Sequence, residues 1–276
     1  RRVVRMVSER SLREDPLRSL RAVRLAVELD LEIDPETGAA AAANAPAIER
    51  VAAERVFAEL KRVVSADAVR RGLALMDEYG LTEVVLPELC ALRGVEQSDF
   101  HHLDVHDHTL EVLDSVALLQ RDPAAAGLDD GVAELLAQPF SDELTRGQAM
   151  RFAALLHDAA KPQTRAVGPN GRVTFIGHDV AGAELARDVL GRLRASGRLR
   201  DYVAAIVAHH LDAGFLVHRR PLDRRTIWRY LRATQPYSAD ITIFTVADRL
   251  STRGRNAEAA IAGHLEVARE LLEAAL

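Results

Sequence analysis

Met150-Arg151-Phe152-Ala153-Ala154-Leu155-Leu156-His157-Asp158-Ala159-Ala160-Lys161 is the stretch that decides how this chain reads. Apart from Arg151 its first seven residues are apolar, which predicts a helix buried on most sides. The run then carries a histidine and an aspartate, side by side, out of a core. Burying two such groups is costly unless something satisfies them. A divalent metal does so, because imidazole nitrogen and carboxylate oxygen are both ligands of first-row transition ions.

Working outward, further ligand-type residues recur at a distance. Upstream stands His108, in Val105-His106-Asp107-His108-Thr109-Leu110. Downstream come His178, then His209-His210 at the end of the apolar run Ala204-Ala205-Ile206-Val207-Ala208, then Asp248 in Thr245-Val246-Ala247-Asp248-Arg249. Each lies beside or within a segment of helical apolar spacing. Adjacent helical residues point roughly 100° apart, so His209 and His210 need not bind one ion, and one is left to support a ligand or meet substrate. His101, His102, His218 and His264 have no partner pattern and read as solvent-facing or structural, and Asp179 as a helix cap.

Composition bounds the rest. At 276 residues and 48% hydrophobic content the chain holds one large or two ordinary domains. Its 36 basic and 41 acidic residues exclude a dedicated polycationic nucleic-acid binder. The charge is uneven, however: the segment ending at Arg24 holds eight arginines against three acids, which suggests a phosphate-facing end. Cys90 is the single cysteine, so no internal disulfide forms. No run of 18 apolar residues and no signal-type segment is present, so no membrane partner and a cytoplasmic location are expected. The chain opens on Arg1, not Met, as a piece of a longer product would.

In chain order, Asp15 is expected to cap a helix starting at Pro16, with Leu17, Leu20, Val23, Leu25, Ala26 and Leu29 as its apolar stripe. The Ala-rich stretch 39–45 predicts a short helix, and longer ones are expected near 47–64 and 66–79, before short helical pieces over 81–92. A helix from near Val105, a loop from Asp122 to Gly131 and a helix over 143–158 follow. Gly168-Pro169-Asn170-Gly171 predicts the turn of one small β-hairpin. Helices near 179–196, 199–211, 237–251 and 256–275 complete the chain. Between them lies a basic stretch, His218-Arg219-Arg220 with Arg224, Arg225, Arg229 and Arg232, in which Trp228 and Tyr230 are set. It reads either as a solvated helix face or as an RNA contact.

The order of His108, His157-Asp158, His178, His209-His210 and Asp248 resembles the HD phosphohydrolase superfamily, including its two-metal members. The resemblance implies that His108, His157, Asp158 and Asp248 hold one ion. His178, His209 and His210 would serve a second, with Asp158 as the bridge. In this pattern the histidine before Thr-Leu is the ligand, which selects His108 and leaves His106 at the surface. Asp158 and Lys161 would be the catalytic pair, Lys161 meeting a phosphate oxygen as a point charge. The expected cofactor is one or two divalent transition ions (Mn, Fe, Co, Ni or Zn), with Mg as a further candidate.

A second resemblance covers about residues 1–95. Glu14-Asp15-Pro16-Leu17-Arg18 is similar to the EDxxR motif of bacterial class II tRNA nucleotidyltransferases and poly(A) polymerases. Glu54-Arg55 through Glu59-Leu60, and Gly80 followed by Pro87-Glu88-Leu89, match later motifs of their neck and body. The family would use Asp15 and Arg18 to hydrogen-bond a nucleotide base; from spacing alone they read as a helix cap and a surface arginine. The Gly-Gly turn, DxD pair and RRDF-type motif of that family's catalytic head are not in this sequence. A missing N-terminal head would lie before Arg1, and the chain alone is not expected to add nucleotides.

The expected fold is therefore all-α: a helical, RNA-binding neck and body over residues 1–95, then an HD-type helical domain over 96–276 with one small hairpin. The expected function is metal-dependent hydrolysis of a phosphoester on a nucleotide or RNA end. The alternative is the RNA-binding C-terminal part of a tRNA CCA-adding enzyme or poly(A) polymerase, with tRNA as partner.

Overall fold

In the computed structural model, which describes residues 2–97, 103–253 and 257–276, the fold is all-α. It divides into two units: the segment through Cys90 together with Val189–Ala195, and Ala91–Asp188 together with Ser196–Leu276.

The first unit is built on three helices that pack on one another, α2 (Leu17–Glu28), α4 (Ala53–Ser65) and α5 (Val69–Glu78). Leu20 and Val23 of α2, Leu60 and Val63 of α4, and Leu73 and Met76 of α5 make its core, at the helical spacing that puts them on facing stripes. Asp15 does not cap α2. It closes the preceding α1 (Glu9–Glu14), its N–H bonding the Ser11 carbonyl, and its carboxylate takes Arg55 at 3.1 Å instead. Val3–Val4 (β1) and Glu32–Ile33 (β2) form a parallel pair before α3 (Pro35–Asn44). The expected 47–64 helix is split. A 3₁₀ turn holds Ala45–Arg50, Val51 is extended, and α4 starts only at Ala53. Two short helices, α6 (Leu81–Val85) and α7 (Pro87–Cys90), follow the left-handed Gly80.

The arginine excess near the start of the chain is largely taken up inside this unit. Arg5 pairs with Asp34, Arg10 with Glu14, Arg13 with Glu9, and Arg21 with Glu59. Arg24 is buried, 2.9 Å from Glu28 and 2.6 Å from Glu59.

In the second unit α8 (Val105–Arg121) opens on Asp104, whose side chain accepts from the Asp107 N–H. The stretch 122–131, expected as loop, holds a 3₁₀ turn and leads into α9 (Gly131–Ala137). A hairpin that the sequence did not suggest, β3 (Pro139–Ser141) with β4 (Leu144–Thr145), turns on Asp142 and Glu143 at φ 53° and 62°. This hairpin delays α10 (Arg146–Leu156) by three residues, and Thr145 with Gln148 then closes a capping box on its first turn. α10 is buried all round; even Arg151 is covered, its guanidinium donating to Gln120 at 2.7 Å. After α11 (Lys161–Thr164) comes the expected hairpin, β5 (Ala166–Val167) with β6 (Val173–Thr174). The remaining helices are α12 (His178–Arg192), α13 (Gly197–His209), α14 (Asp212–Leu216), α15 (Arg224–Thr234), α16 (Ser238–Leu250) and α17 (Ala257–Ala275). α8, α13 and α16 pack on α10, and α17 covers α16. Among the described residues, no helix is long and apolar enough to cross a membrane.

Candidate metal centre

α10 ends at Leu156, so His157 is its C-cap and Asp158 sits in the turn beyond. Both are almost fully covered, at 0% and 1% exposure. Four other elements bring side chains to the same point. His108 comes from the first turn of α8, His178 starts α12, His210 follows α13, and Asp248 lies near the end of α16. Gly177, at φ 82°, makes the left-handed turn into α12. Gly182 lets α12 close in: a Cβ there would stand 3.4 Å from the His157 carbonyl and 3.0 Å from Val207.

Asp158 is the hub. One oxygen lies 3.2 Å from His157 Nε2 and 3.8 Å from His108 Nε2. The other lies 3.4 Å from His178 Nε2 and 4.0 Å from His210 Nε2. The ligand atoms thus fall into two groups that share Asp158, one with His108 and His157, the other with His178 and His210.

Hydrogen bonding fixes which nitrogens face inward as acceptors. His157 Nδ1 donates to the Ala154 carbonyl at 2.9 Å, His178 Nδ1 to that of Phe175 at 2.7 Å, and His210 Nδ1 to that of Val207 at 2.7 Å. A carbonyl only accepts, so each Nδ1 carries hydrogen and each neutral ring presents its Nε2 lone pair to the centre. His178 and His210 then face each other, Nε2 to Nε2, at 3.2 Å. Two lone pairs at that distance repel unless a proton or a cation stands between them. Neither Asp158 oxygen nor His157 Nε2 has a hydrogen bond of acceptable geometry. Buried polar atoms are seldom left so. Nitrogen and carboxylate donors converging on one point fit a divalent transition ion.

The electrostatics agree. Burial alone would raise the Asp158 carboxyl, but the charges of His157 and Lys161 hold it well below the usual carboxylate range. Burial works against a charged His157, and Asp158 overcomes it, so the imidazole is raised. Burial depresses His210 to about 4, with His157 adding to the effect. Asp248 is lowered despite burial, by its hydrogen bond with His108 and that ring's charge. Ionised carboxylates and a neutral imidazole are the forms that ligate, and a cation would displace the proton His157 tends to hold.

Asp248 stands 3.0 Å from His108 Nε2 and lines, with His108, Asp158, His178 and His210, a cavity of about 450 Å³. Lys161 lines it as well. Its ammonium is 2.7 Å from Asp158, donates to Gln97 at 2.6 Å and lies 5.3 Å from the centre of the Phe175 ring. His209 is not brought in: its ring bonds Asp212 at 2.8 Å, which raises its pKa. His106 is buried, not at the surface, and bonds Asp107. Asp179 is the second residue of α12, not its cap. His218 is exposed and His264 is buried, while His101 and His102 fall outside the described residues. In the first unit Asp15 and Arg18 are 4.0 Å apart. Unmarked in the sequence were Gln97 and the cavity-lining Arg172, Phe175 and Phe215. The one available signal was Phe175-Ile176-Gly177 running directly into His178.

The family profile described as "HD domain" matches residues 105–253, a span that holds every one of these ligand-type residues. The chain belongs to the HD-domain family. Ahead of the HD domain, residues 30–92 match a second profile, "Probable RNA and SrmB- binding site of polymerase A". The A-adding tRNA nucleotidyltransferase of Deinococcus radiodurans is 36% identical over 92% of this chain and 53% of its own length. The CC-adding tRNA nucleotidyltransferase of Thermus thermophilus is 35% identical over 94% of this chain and 54% of its own. This HD-domain chain thus spans about half the length of those curated relatives. Among solved structures, a tRNA-processing enzyme superposes with a TM-score of 0.54 at 13% identity, covering 99% of this chain and 64% of the other. A CCA-adding enzyme gives 0.51 at 14%, covering 95% and 49%. At such identities the likeness is one of fold.

Proposed function

We propose that this chain is the RNA-holding and HD part of a tRNA nucleotidyltransferase system. The observation that carries this reading is the alignment, over more than nine-tenths of the chain, with A-adding and CC-adding enzymes. The substrate is the tRNA end, with Asp15 and Arg18 of the first unit the groups that meet a nucleotide base: a carboxylate accepts from an amino group and a guanidinium donates in a fixed fork. The test is fluorescence anisotropy of labelled tRNA. Binding should weaken steeply between about 50 and 200 mM salt, as phosphate contacts require. Salt-insensitive binding, or none, overturns the reading.

A second, compatible activity is supported by the convergence on Asp158: hydrolysis of a phosphoester on a nucleotide or RNA end. His108, His157, Asp158 and Asp248 would hold one ion, and Asp158, His178 and His210 a second. A bound divalent ion supplies Lewis acidity toward a phosphoester and makes an attacking water more acidic. Asp158 keeps its charge in the dry centre, and Lys161 offers a cation to a substrate phosphate in the same cavity. Purified protein should carry one or two transition ions per chain and turn over 2′,3′-cyclic AMP. Asp158→Ala should lose both. Metal without turnover on any phosphodiester would leave the site structural.

A further inference from the structure

Helix α15 separates two sets of side chains. Ile227, Tyr230 and Leu231 pack with Ala213, Leu216, Val267 and Leu271, and the Tyr230 hydroxyl lies 2.9 Å from that of Thr242. Those contacts suffice to seat the helix. The opposite set is Arg224, Arg225, Trp228, Arg229 and Arg232, all exposed. Arg224, Trp228 and Arg232 follow at four-residue intervals and so form one stripe, with Arg225 and Arg229 in the stripe beside it.

Trp228 is 56% exposed, the Arg232 guanidinium 5.1 Å from its ring centre. The fold gains little from a large aromatic left in water among cations. Beside it opens a cavity of about 640 Å³, lined by Trp228, Arg232, Gln235, Ser238 and Arg146 among others. The acid at its foot, Asp240, is already held by Arg146 and by the Tyr202 hydroxyl at 2.9 Å. Asp223, the one acid next to the arginines in sequence, caps the helix by accepting from the Thr226 N–H at 2.6 Å. Among the described residues, none of Arg224, Arg225, Arg229 and Arg232 has a carboxylate within ion-pair distance. The arginines of the first unit, by contrast, are mostly paired.

We propose that this face of α15 binds a single-stranded stretch of RNA, one base stacked on Trp228 and the flanking phosphates on Arg224, Arg225, Arg229 and Arg232. An aromatic platform beside a row of guanidinium groups is the chemistry that grips a single strand without reading its sequence. Guanidinium adds a planar fork that matches phosphate. Gln235, at the cavity wall, offers hydrogen bonds to the stacked base. The choice of RNA over other polyanions rests on the tRNA reading above; the stacking and phosphate chemistry does not.

Trp228 is the only tryptophan in the chain, so tryptophan emission, excited where tyrosine does not absorb, reports this face alone. Titration of the full chain with a short single-stranded RNA should quench it. Labelled-RNA anisotropy should give a dissociation constant raised about fivefold or more in Trp228→Ala, and likewise in the Arg225→Glu/Arg229→Glu pair. Trp228→Phe should retain most of the affinity. Metal content and melting temperature, unchanged in all three, exclude misfolding. RNA bound with undisturbed fluorescence and full affinity in Trp228→Ala overturns this site and leaves the tRNA reading standing. Failure to bind any RNA removes both. A fluorescence shift that follows protein concentration without RNA, with dimer sedimentation, would assign the face to contact between copies and also overturn the proposal.

Discussion

Arg24 in α2 and Asp158 beyond α10 are both charged groups withdrawn from water, and their surroundings answer that cost in different ways. Arg24 meets Glu28 and Glu59, and Glu59 also takes Arg21 at 2.8 Å. Opposite charges from the chain itself close that cluster. Around Asp158 stand three imidazole lone pairs, a fourth histidine and one lysine, with two nitrogens facing at 3.2 Å and both carboxylate oxygens lacking an aligned donor. Burial of charge is common to both. Both also hold buried atoms without an aligned hydrogen bond, Arg24 Nε and Glu59 Oε2 in the one and both Asp158 oxygens in the other. What separates them is that carboxylates balance the guanidinium, whereas metal-ligating imidazole nitrogens converge on Asp158.

The sharpest way to break this comparison is to withdraw metal. Chelation of the purified protein is expected to abolish phosphoester turnover and lower the melting temperature, with both restored by a transition ion. A chelated, metal-free protein with an unchanged melting temperature would make the two clusters equivalent. Next in size is Glu59→Ala, which leaves Arg24 buried beside Glu28 alone. Breaking a buried pair costs about 3–5 kcal/mol, here measured by urea unfolding, with metal content unaltered.

A smaller effect tests a buried histidine outside both clusters. His264 is pushed down to about 4, chiefly by burial, and its Nε2 lies 2.9 Å from the Thr245 hydroxyl. The unfolded chain therefore takes the proton first as pH falls. The stability this histidine contributes is complete above about pH 6.5 and is lost as pH drops toward 4, by up to about 3 kcal/mol. His264→Gln should flatten that part of the pH–stability curve relative to wild type, and an identical slope would count against it.

Much of the architecture could be read from the residues, because helical spacing and a polar pair ending an apolar run are strong local signals. Asp15 looks like a cap in sequence because a sequence does not reveal that Arg55, forty residues away in the chain, competes for the carboxylate. The β3–β4 hairpin escaped because its left-handed turn is made by Asp142-Glu143, without the glycine such turns usually use. The choice between His209 and His210 was legible in principle. His210 follows Ile206 and Val207 by four and three residues on the buried face of α13, whereas His209 falls beside it. His106 lies inside because it shares α8 with buried Val105 and Thr109, which the ligand pattern that selects His108 does not reveal. The arginine count near the start of the chain overstates the local charge for a related reason: Asp34 and Glu59, which pair with Arg5 and Arg21, lie outside the window counted.

The tethers of His157, His178 and His210 have one more consequence. Each ring is held by the carbonyl three residues before it, through backbone that the fold has already fixed. The imidazoles lose their rotational freedom when the chain folds, not when a ligand arrives. Such a centre is preorganised, and capture of an ion needs little further ordering of the protein. Its three Nδ1 protons, buried and bonded, would exchange slowly with solvent and should be visible as separate downfield resonances.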